Sequence, residues 1–274
     1  MDISERIQLR KAQLYITDEI KRICEKHNIQ YFLDCGTLIG AIRHKGFIPW
    51  DDDIDIGMLR KEYEKFINIA PMELKDEFFI DNYLTNPENA LMFTKVRLKG
   101  TKYIEAKGNS DAKYNEIFVD VFPYYAISDD ASERKREGLQ MGVLAQAILS
   151  KAGCKVWKGE GTLKRLKFIP TDLIGKCCTK EFLRRKVNNL YNKHSETKLV
   201  CIHDGLKSSY LHWYIPKEYL LEFTEAQFEG LRFPIPKHYH EHLTIIYGDY
   251  MTIPPVDKQI THMIQCLDLG NYQF

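Results

Sequence analysis

In Pro49-Trp50-Asp51-Asp52-Asp53-Ile54-Asp55-Ile56-Gly57, four carboxylates fall within five positions, next to aliphatic residues rather than in a polar tract. From Asp53 to Ile56 acid and isoleucine alternate strictly, the period of a strand with one face in a core. Side chains two apart on a strand share a face, so Asp53 and Asp55 project together, about 7 Å apart at their bases, while Ile54 and Ile56 turn inward. Two like charges so placed repel unless a cation lies between them. Hard oxygen ligands of this kind suit Mg2+ or Mn2+, which keep part of their water shell and bridge to substrate phosphates. Asp52 reads as a turn residue ahead of the strand, and Asp51 admits the same reading. Asp51, Asp53, Asp55 and Glu62 also match the first, third, fifth and twelfth positions of a calcium-binding EF-hand loop, but Ile56 stands at the sixth, where the sharp turn requires glycine.

Upstream, Ile29, Tyr31 and Leu33 alternate with Gln30 and Phe32 before Asp34-Cys35-Gly36, a short strand ending in a turn. Gly36-Thr37 then opens one or two helical turns through Leu38-Ile39-Gly40-Ala41-Ile42. Farther back, Leu9, Ala12, Ile16, Ile20 and Ile23 recur at three- and four-residue steps and predict an amphipathic helix from about Ser4 to His27. Downstream, Arg60 to Ala70 returns to helical spacing through Tyr63, Phe66 and Ile67. Further strands are expected at Phe78 to Tyr83, Leu91 to Leu98, Thr101 to Glu105 and Ile117 to Phe122, the last closed by Pro123. Asn86-Pro87 and Lys107-Gly108-Asn109 are the turns between them. Strands mixed with flanking helices predict an α/β or α+β core. From about Ser128 longer helical stretches take over, broken at Lys158-Gly159-Glu160-Gly161 and Pro170, so a catalytic core over 1–127 and a mainly helical region over 128–274 are expected.

The chain has 274 residues, 39 Lys and Arg against 38 Asp and Glu, and 44% hydrophobic residues. Those proportions exclude wholesale disorder and a fibrous protein, and a net charge of +1 gives no whole-chain attraction to nucleic acid. Apolar runs fall short of the about 20 residues that cross a bilayer. Met1-Asp2-Ile3-Ser4-Glu5-Arg6 starts acidic, unlike a signal peptide, so a cytoplasmic protein is expected. The seven cysteines show no Cys-x-x-Cys pair and read as reduced, mostly buried thiols. Between Lys151 and Lys198 stand thirteen basic and four acidic residues, a net +9. Such a run is either a set of solvated helix faces or a surface that meets an anionic partner, a phosphorylated glycan or a lipid headgroup.

The continuous stretch from Gly36-Thr37-Leu38-Ile39-Gly40-Ala41-Ile42-Arg43-His44-Lys45-Gly46-Phe47-Ile48 through Pro49-Trp50-Asp51-Asp52-Asp53-Ile54-Asp55-Ile56-Gly57-Met58 resembles the signature of the LicD family. These are phosphotransferases that include bacterial phosphocholine transferases and are related to fukutin-type ribitol-phosphate transferases. Ile117-Phe118-Val119-Asp120-Val121-Phe122-Pro123, Phe233-Pro234-Ile235-Pro236, Tyr247-Gly248-Asp249-Tyr250-Met251 and Pro254-Pro255 resemble later family landmarks in the same order. The resemblance implies an α+β protein whose nucleotidyltransferase-like core has a small mixed sheet, followed by a C-terminal helical region that binds the acceptor. It implies that Gly36-Thr37 is a turn holding phosphate, that Asp53 and Asp55 are the paired metal-binding carboxylates, and that Asp120 is the third, either completing a metal site or taking the hydroxyl proton as base.

The reaction so implied is a Mg2+- or Mn2+-dependent transfer of phosphocholine from CDP-choline to a hydroxyl of a cell-surface glycan precursor, with release of CMP. Teichoic acid or lipopolysaccharide would be modified in this way. A lipid-linked acceptor would bring the basic segment against the inner face of the membrane. The alternatives are transfer of ribitol or glycerol phosphate from a CDP donor, nucleotidyl transfer from an NTP, and a choline- or metal-binding module without turnover. Arg43, Lys95 and Arg97 are the candidate cations for the diphosphate, with pairing to neighbouring acids as the other reading of Lys95 and Arg97. Choline's quaternary ammonium donates no hydrogen bond and needs aromatic faces or carboxylates, for which Trp50 and Tyr124 are candidates, with Tyr125 and Trp213-Tyr214 behind them. His238 and His242 stand at i and i+4, a zinc spacing, although a solvated helix face is the plainer reading.

Overall fold

Leu9, Ala12, Ile16, Ile20 and Ile23, all fully buried, line one side of helix α1 (Ile3–Lys26) and form the floor of the main core. The structure is a computed structural model and describes residues 3–86, 88–105, 114–153, 169–259 and 264–274. Pro87, the turn at Lys107-Gly108-Asn109, the break at 158–161 and the cations at 155, 158, 164, 165 and 167 lie outside the described residues.

The elements that follow are β1 (Phe32–Leu33), α2 (Cys35–His44), β2 (Asp55–Leu59), α3 (Arg60–Glu73), β3 (Phe78–Asp81), β4 (Thr94–Leu98), β5 (Lys102–Glu105) and β6 (Phe118–Ile127). Five of the strands form a sheet in the order β1-β2-β6-β4-β3. Its central strands carry Ile56, Met58, Val96, Leu98, Val119 and Val121 into the core, all with no exposed surface. The α+β class read from the sequence is the class observed.

Pro123 does not close β6. Residues Thr94 to Arg97 of β4 pair with Phe118 to Val121, and Tyr124 to Ile127 pair with the later strand β7 (Leu199–Ile202). Pro123 sits between the two ladders, where a missing N–H breaks no pairing. It also marks a division of the chain into two compact units, the first 1–81, 93–123 and 218–274, the second 82–92 and 124–217.

The second unit contains α4 (Ala131–Lys151), α5 (Ile169–Cys177), α6 (Lys180–Tyr191), β7, α7 (Lys207–Leu211) and β8 (Tyr214–Pro216), which pairs with β7. Asp130 caps α4 by accepting from Glu133 N (2.7 Å), and Thr179 caps α6 by accepting from Phe182 N (3.1 Å). Gly175 lets α5 lie against α4, because a Cβ there would come within 2.7 Å of the Ala147 carbonyl oxygen. Lys193 Nζ donates to Glu133 and Glu137 (2.6 Å each), and His194 Nε2 lies 2.8 Å from Glu137. These two acids and His194 could hold a cation, and the Lys193 ammonium already fills that role.

The chain beyond residue 128, expected as one mainly helical region, also carries β7 to β11, and from Glu218 onward it belongs to the first unit. β9 (Phe223–Phe228) and β10 (Leu231–Pro236) form a hairpin whose two turn residues, Glu229 and Gly230, have φ of 49° and 83°, as a tight primed turn demands. Phe228, Phe233 and Ile235 bury into the core that α1 floors. Helix α8 (Tyr239–Tyr247) follows, and β11 (Ile264–Asp268) pairs with β5.

Candidate active site

The site grows from the junction of β1 and α2. Asp34 is the N-cap of α2 in extended conformation, its N–H donating to the Asp55 carbonyl (3.0 Å) and its carbonyl accepting from Leu38 N (2.9 Å). Cys35 then takes a left-handed φ of 47°, which turns the chain sharply into the helix. The first-turn N–H groups of α2 have no partner within the helix and carry the positive end of its dipole. Gly36 is in this turn because Asp51 leans on it: a Cβ would stand 2.6 Å from Asp51 Oδ2. Gly36→Ala is therefore expected to displace Asp51 and cut turnover at least tenfold while the urea midpoint moves little, the test being activity and unfolding measured on one preparation. Thr37 Oγ1 accepts from Asp55 N (2.9 Å), so this hydroxyl fixes β2 to α2.

The acidic stretch is less strand-like than its alternation predicts. β2 begins at Asp55, and Asp51 to Ile54 form an irregular approach fastened from α1. Arg10 Nη2 donates to the carbonyls of Ile48 (2.8 Å) and Asp51 (2.9 Å), and Gln13 Nε2 donates to that of Asp52 (2.7 Å). Side-chain bonds from α1 thus replace the ladder. Asp52 is buried and accepts from Tyr103 OH (3.0 Å), a structural part, while the turn itself falls at Pro49-Trp50, just before the acids. Asp120 approaches from β6, its N–H donating to the Ile54 carbonyl (3.0 Å). Lys95, its cross-strand partner on β4, donates Nζ to both carboxylate oxygens (2.7 and 3.0 Å) and lies 3.2 Å from the centre of the Phe118 ring.

These acids share one field. Burial, then the charges of Asp53, Asp120, Asp51 and Asp34, pushes the Asp55 carboxyl well above the usual carboxylate range. Burial and Asp53 push Asp51 up to about 8. Asp120 is pushed up to about 6 by burial, with Lys95 opposing the rise. Asp51, Asp55 and Asp120 resist ionisation, and the carboxylate oxygens of Asp51, Asp52 and Asp53 lie within 4.8 Å of one another; oxygen ligands gathered in this way fit a hard divalent cation.

Of the residues singled out from the sequence, Gly36, Thr37, Asp53, Asp55, Asp120 and Lys95 come together here. Arg43 instead donates Nη1 to the carbonyls of Tyr250 (2.5 Å) and Thr252 (3.4 Å), with its guanidinium 5.8 Å from the Trp50 ring centre. Arg97 is buried, donating to Asp81 Oδ2 and to the Glu116 carbonyl (2.8 Å each). Tyr124 lies in the second unit and is 1% exposed. Tyr125 stacks on Tyr191, and Tyr214 lies beneath the Arg134 guanidinium. The two histidines at zinc spacing part company: His238 stacks on Tyr219, whereas His242 is fully buried with Nε2 3.6 Å from Asp34 Oδ1. Sequence reasoning missed the participation of Asp51, although Asp51, Asp53 and Asp55 continue one two-residue period. It also missed Asp34, for which the sequence holds no local signal, and the place of Tyr247 at the site, although Tyr247 opens a stretch that resembles a family landmark.

Over 95% of its length the chain is 34% identical to 98% of the lipopolysaccharide cholinephosphotransferase LicD of Haemophilus influenzae. The chain belongs to the LicD family. The family description that matches residues 28–140 is "LicD/FKTN/FKRP, nucleotidyltransferase domain", and those residues carry α2, the acidic approach, β2 and β6. Human ribitol 5-phosphate transferase FKRP is 38% identical over 50 residues, 18% of this chain and 9% of that protein. Membership in the LicD family makes the chain a transferase, and the carboxylate cluster at the start of α2 is its candidate active site.

Proposed function

We propose that this LicD-family transferase moves phosphocholine from CDP-choline to a hydroxyl of a cell-surface glycan precursor, such as that of lipopolysaccharide or teichoic acid, and releases CMP. The observation that carries the reading is the convergence of Asp51, Asp53, Asp55 and Asp120 on the N-terminal turn of α2, where a helix end that favours anions faces acids that favour a cation. A diphosphate together with Mg2+ or Mn2+ would satisfy both. Asp53 and Asp55 would hold the cation, with Asp51 and Asp120 beside them, and when bound it offsets the charge that develops on the departing CMP. The backbone N–H groups of Gly36 and Thr37 would cradle a phosphate. Lys95 fixes the Asp120 carboxyl, which either joins the ligand set or accepts the proton of the attacking hydroxyl; a pKa of about 6 suits the second task near neutral pH.

The test is to incubate the protein and Mg2+ with CDP-choline, CDP-ribitol and CDP-glycerol and to measure CMP. Release from CDP-choline is expected. Release from CDP-ribitol alone would move the reading to the FKRP-type reaction, pyrophosphate from an NTP would make it nucleotidyl transfer, and no release with any donor would leave a binding module.

The acceptor is proposed to be lipid-linked and reached from the cytoplasmic face of a membrane. Among the described residues no helix is long and apolar enough to cross one. In the second unit α5 exposes Ile169 and Leu173 with Lys176 on the same helix, and α6 exposes Phe182 with Arg185 and Lys186 near its ring, so each helix offers apolar and cationic groups together as a peripheral contact requires. Turnover of a lipid-linked acceptor that does not change as salt is raised would count against it.

A further inference from the structure

Helix α8 meets the start of α2 at two points. Near its middle, His242 reaches the N-cap residue Asp34, both sealed from solvent. At its last residue, Tyr247 brings its hydroxyl close to the side chain of Cys35, the residue whose left-handed backbone opens α2. The chain that follows is pinned as well. Arg43, from the last turn of α2, donates to the carbonyls of Tyr250 and Thr252; Asp249 accepts from Thr252 N (3.2 Å) and Oγ1 (2.6 Å); and Tyr250 OH lies 2.9 Å from His240 Nδ1. This gives the Tyr247-Gly248-Asp249-Tyr250 landmark a physical role: it holds Tyr247 at the site.

Tyr247 is nevertheless 45% exposed. Its hydroxyl end is the buried part, beside the Cys35 thiol, and the exposed share belongs to the rest of the residue, so it offers a ring more readily than a hydrogen bond. Burial is the main cause that raises the Tyr247 hydroxyl, and the side chains of Cys35, Asp34 and Asp55 lie near enough to add to it, which places the ring beside the acidic cluster. An aromatic face beside carboxylates attracts a cation that has no N–H to donate. The other aromatic candidates are less available: the Trp50 ring already has the Arg43 guanidinium near it, and Tyr124 is buried.

We infer that the ring of Tyr247 is one wall of a subsite for the quaternary ammonium of the alcohol being transferred, and so selects choline over uncharged polyols. The inference rests on the phosphocholine reading above and names the residue that would set it. Glycerol and ribitol, which present hydroxyl groups and no charge, gain little from such a wall.

The experiment uses the full chain and needs no turnover. Phosphocholine and glycerol phosphate are titrated, with Mg2+, into wild-type protein and into Tyr247→Leu, Tyr247→Trp and Tyr247→Phe, by calorimetry and by the ring NMR signals of Tyr247, assigned from their loss in the Phe variant. Phosphocholine is expected to shift those signals and glycerol phosphate to leave them in place. Tyr247→Leu should bind phosphocholine about 30-fold more weakly, whereas Tyr247→Trp and Tyr247→Phe stay within about threefold of wild type. Unchanged affinity in Tyr247→Leu, unmoved ring signals, or an equal loss in Tyr247→Phe, which keeps the ring, would overturn the subsite. Should Tyr247→Leu fail to fold, the wild-type ring signals and the Phe variant decide alone. The two readings fail separately. CMP release from CDP-choline by a Tyr247→Leu variant with undiminished preference over CDP-glycerol removes the subsite and leaves the reaction. Phosphocholine binding through Tyr247 without CMP release removes the reaction and leaves the subsite.

Discussion

Asp55→Asn should lower turnover by about 10³-fold and leave the protein folded. Both halves of that result come from the same burial. Asp55 is 8% exposed, with its backbone N–H held by Thr37 and its carbonyl by Asp34, contacts that an asparagine retains. Its carboxylate is opposed by the charges of Asp53, Asp120, Asp51 and Asp34, so replacing it with a neutral amide relieves the metal-free protein. The urea midpoint in chelator should be equal to or above that of the wild type. The sign with pH follows from the raised values. The native state holds protons on Asp55, on Asp51 up to about 8 and on Asp120 up to about 6 that the unfolded chain releases near pH 4, so metal-free stability falls as pH rises from about 4 to about 8. Asp55→Asn should flatten that slope. Mg2+ should raise the melting temperature of the wild type and not that of the variant. Wild-type activity in Asp55→Asn would refute the assignment.

Asp81→Asn has the opposite profile, a large loss of stability with the chemistry intact. The Asp81 and Arg97 side chains are 4% and 8% exposed and joined at 2.8 Å between β3 and β4. Removing one partner strands a buried guanidinium, which costs about 3–5 kcal/mol. The double variant Asp81→Asn with Arg97→Met should recover much of that loss, measured by urea unfolding of all three variants. The same set decides what Arg97 does. If it serves only this ion pair, the double variant turns over its donor with the wild-type KM. A KM raised tenfold or more would return Arg97 to the donor site.

Which contacts could be read in advance depended on how far they reach along the chain. The stripe of α1, the Gly36-Thr37 helix start and the position of the acids are local patterns, set by the periods of helix and strand and by a motif of consecutive residues. The structure then gathers Gly36, Thr37, Asp53, Asp55 and Asp120 in one place. Arg43 looked identical on paper to a phosphate ligand, yet its carbonyl partners are 207 and 209 positions away. Pro123 looked like a strand end because one strand's sequence does not show that its two halves pair with different partners.

By itself, then, the amino-acid order determined the helices and strands around the acidic stretch, which chemistry the carboxylates permit and which family the chain resembles, since each is written in short-range spacing. Only the folded chain decided that Lys95 serves Asp120, that Arg97 and Arg43 are committed elsewhere, and that Asp51, Asp34 and Tyr247 stand at the start of α2. A side chain's charge and shape are local properties, but its partner is chosen by packing, which brings distant segments together and shuts out the water that would otherwise satisfy each group alone.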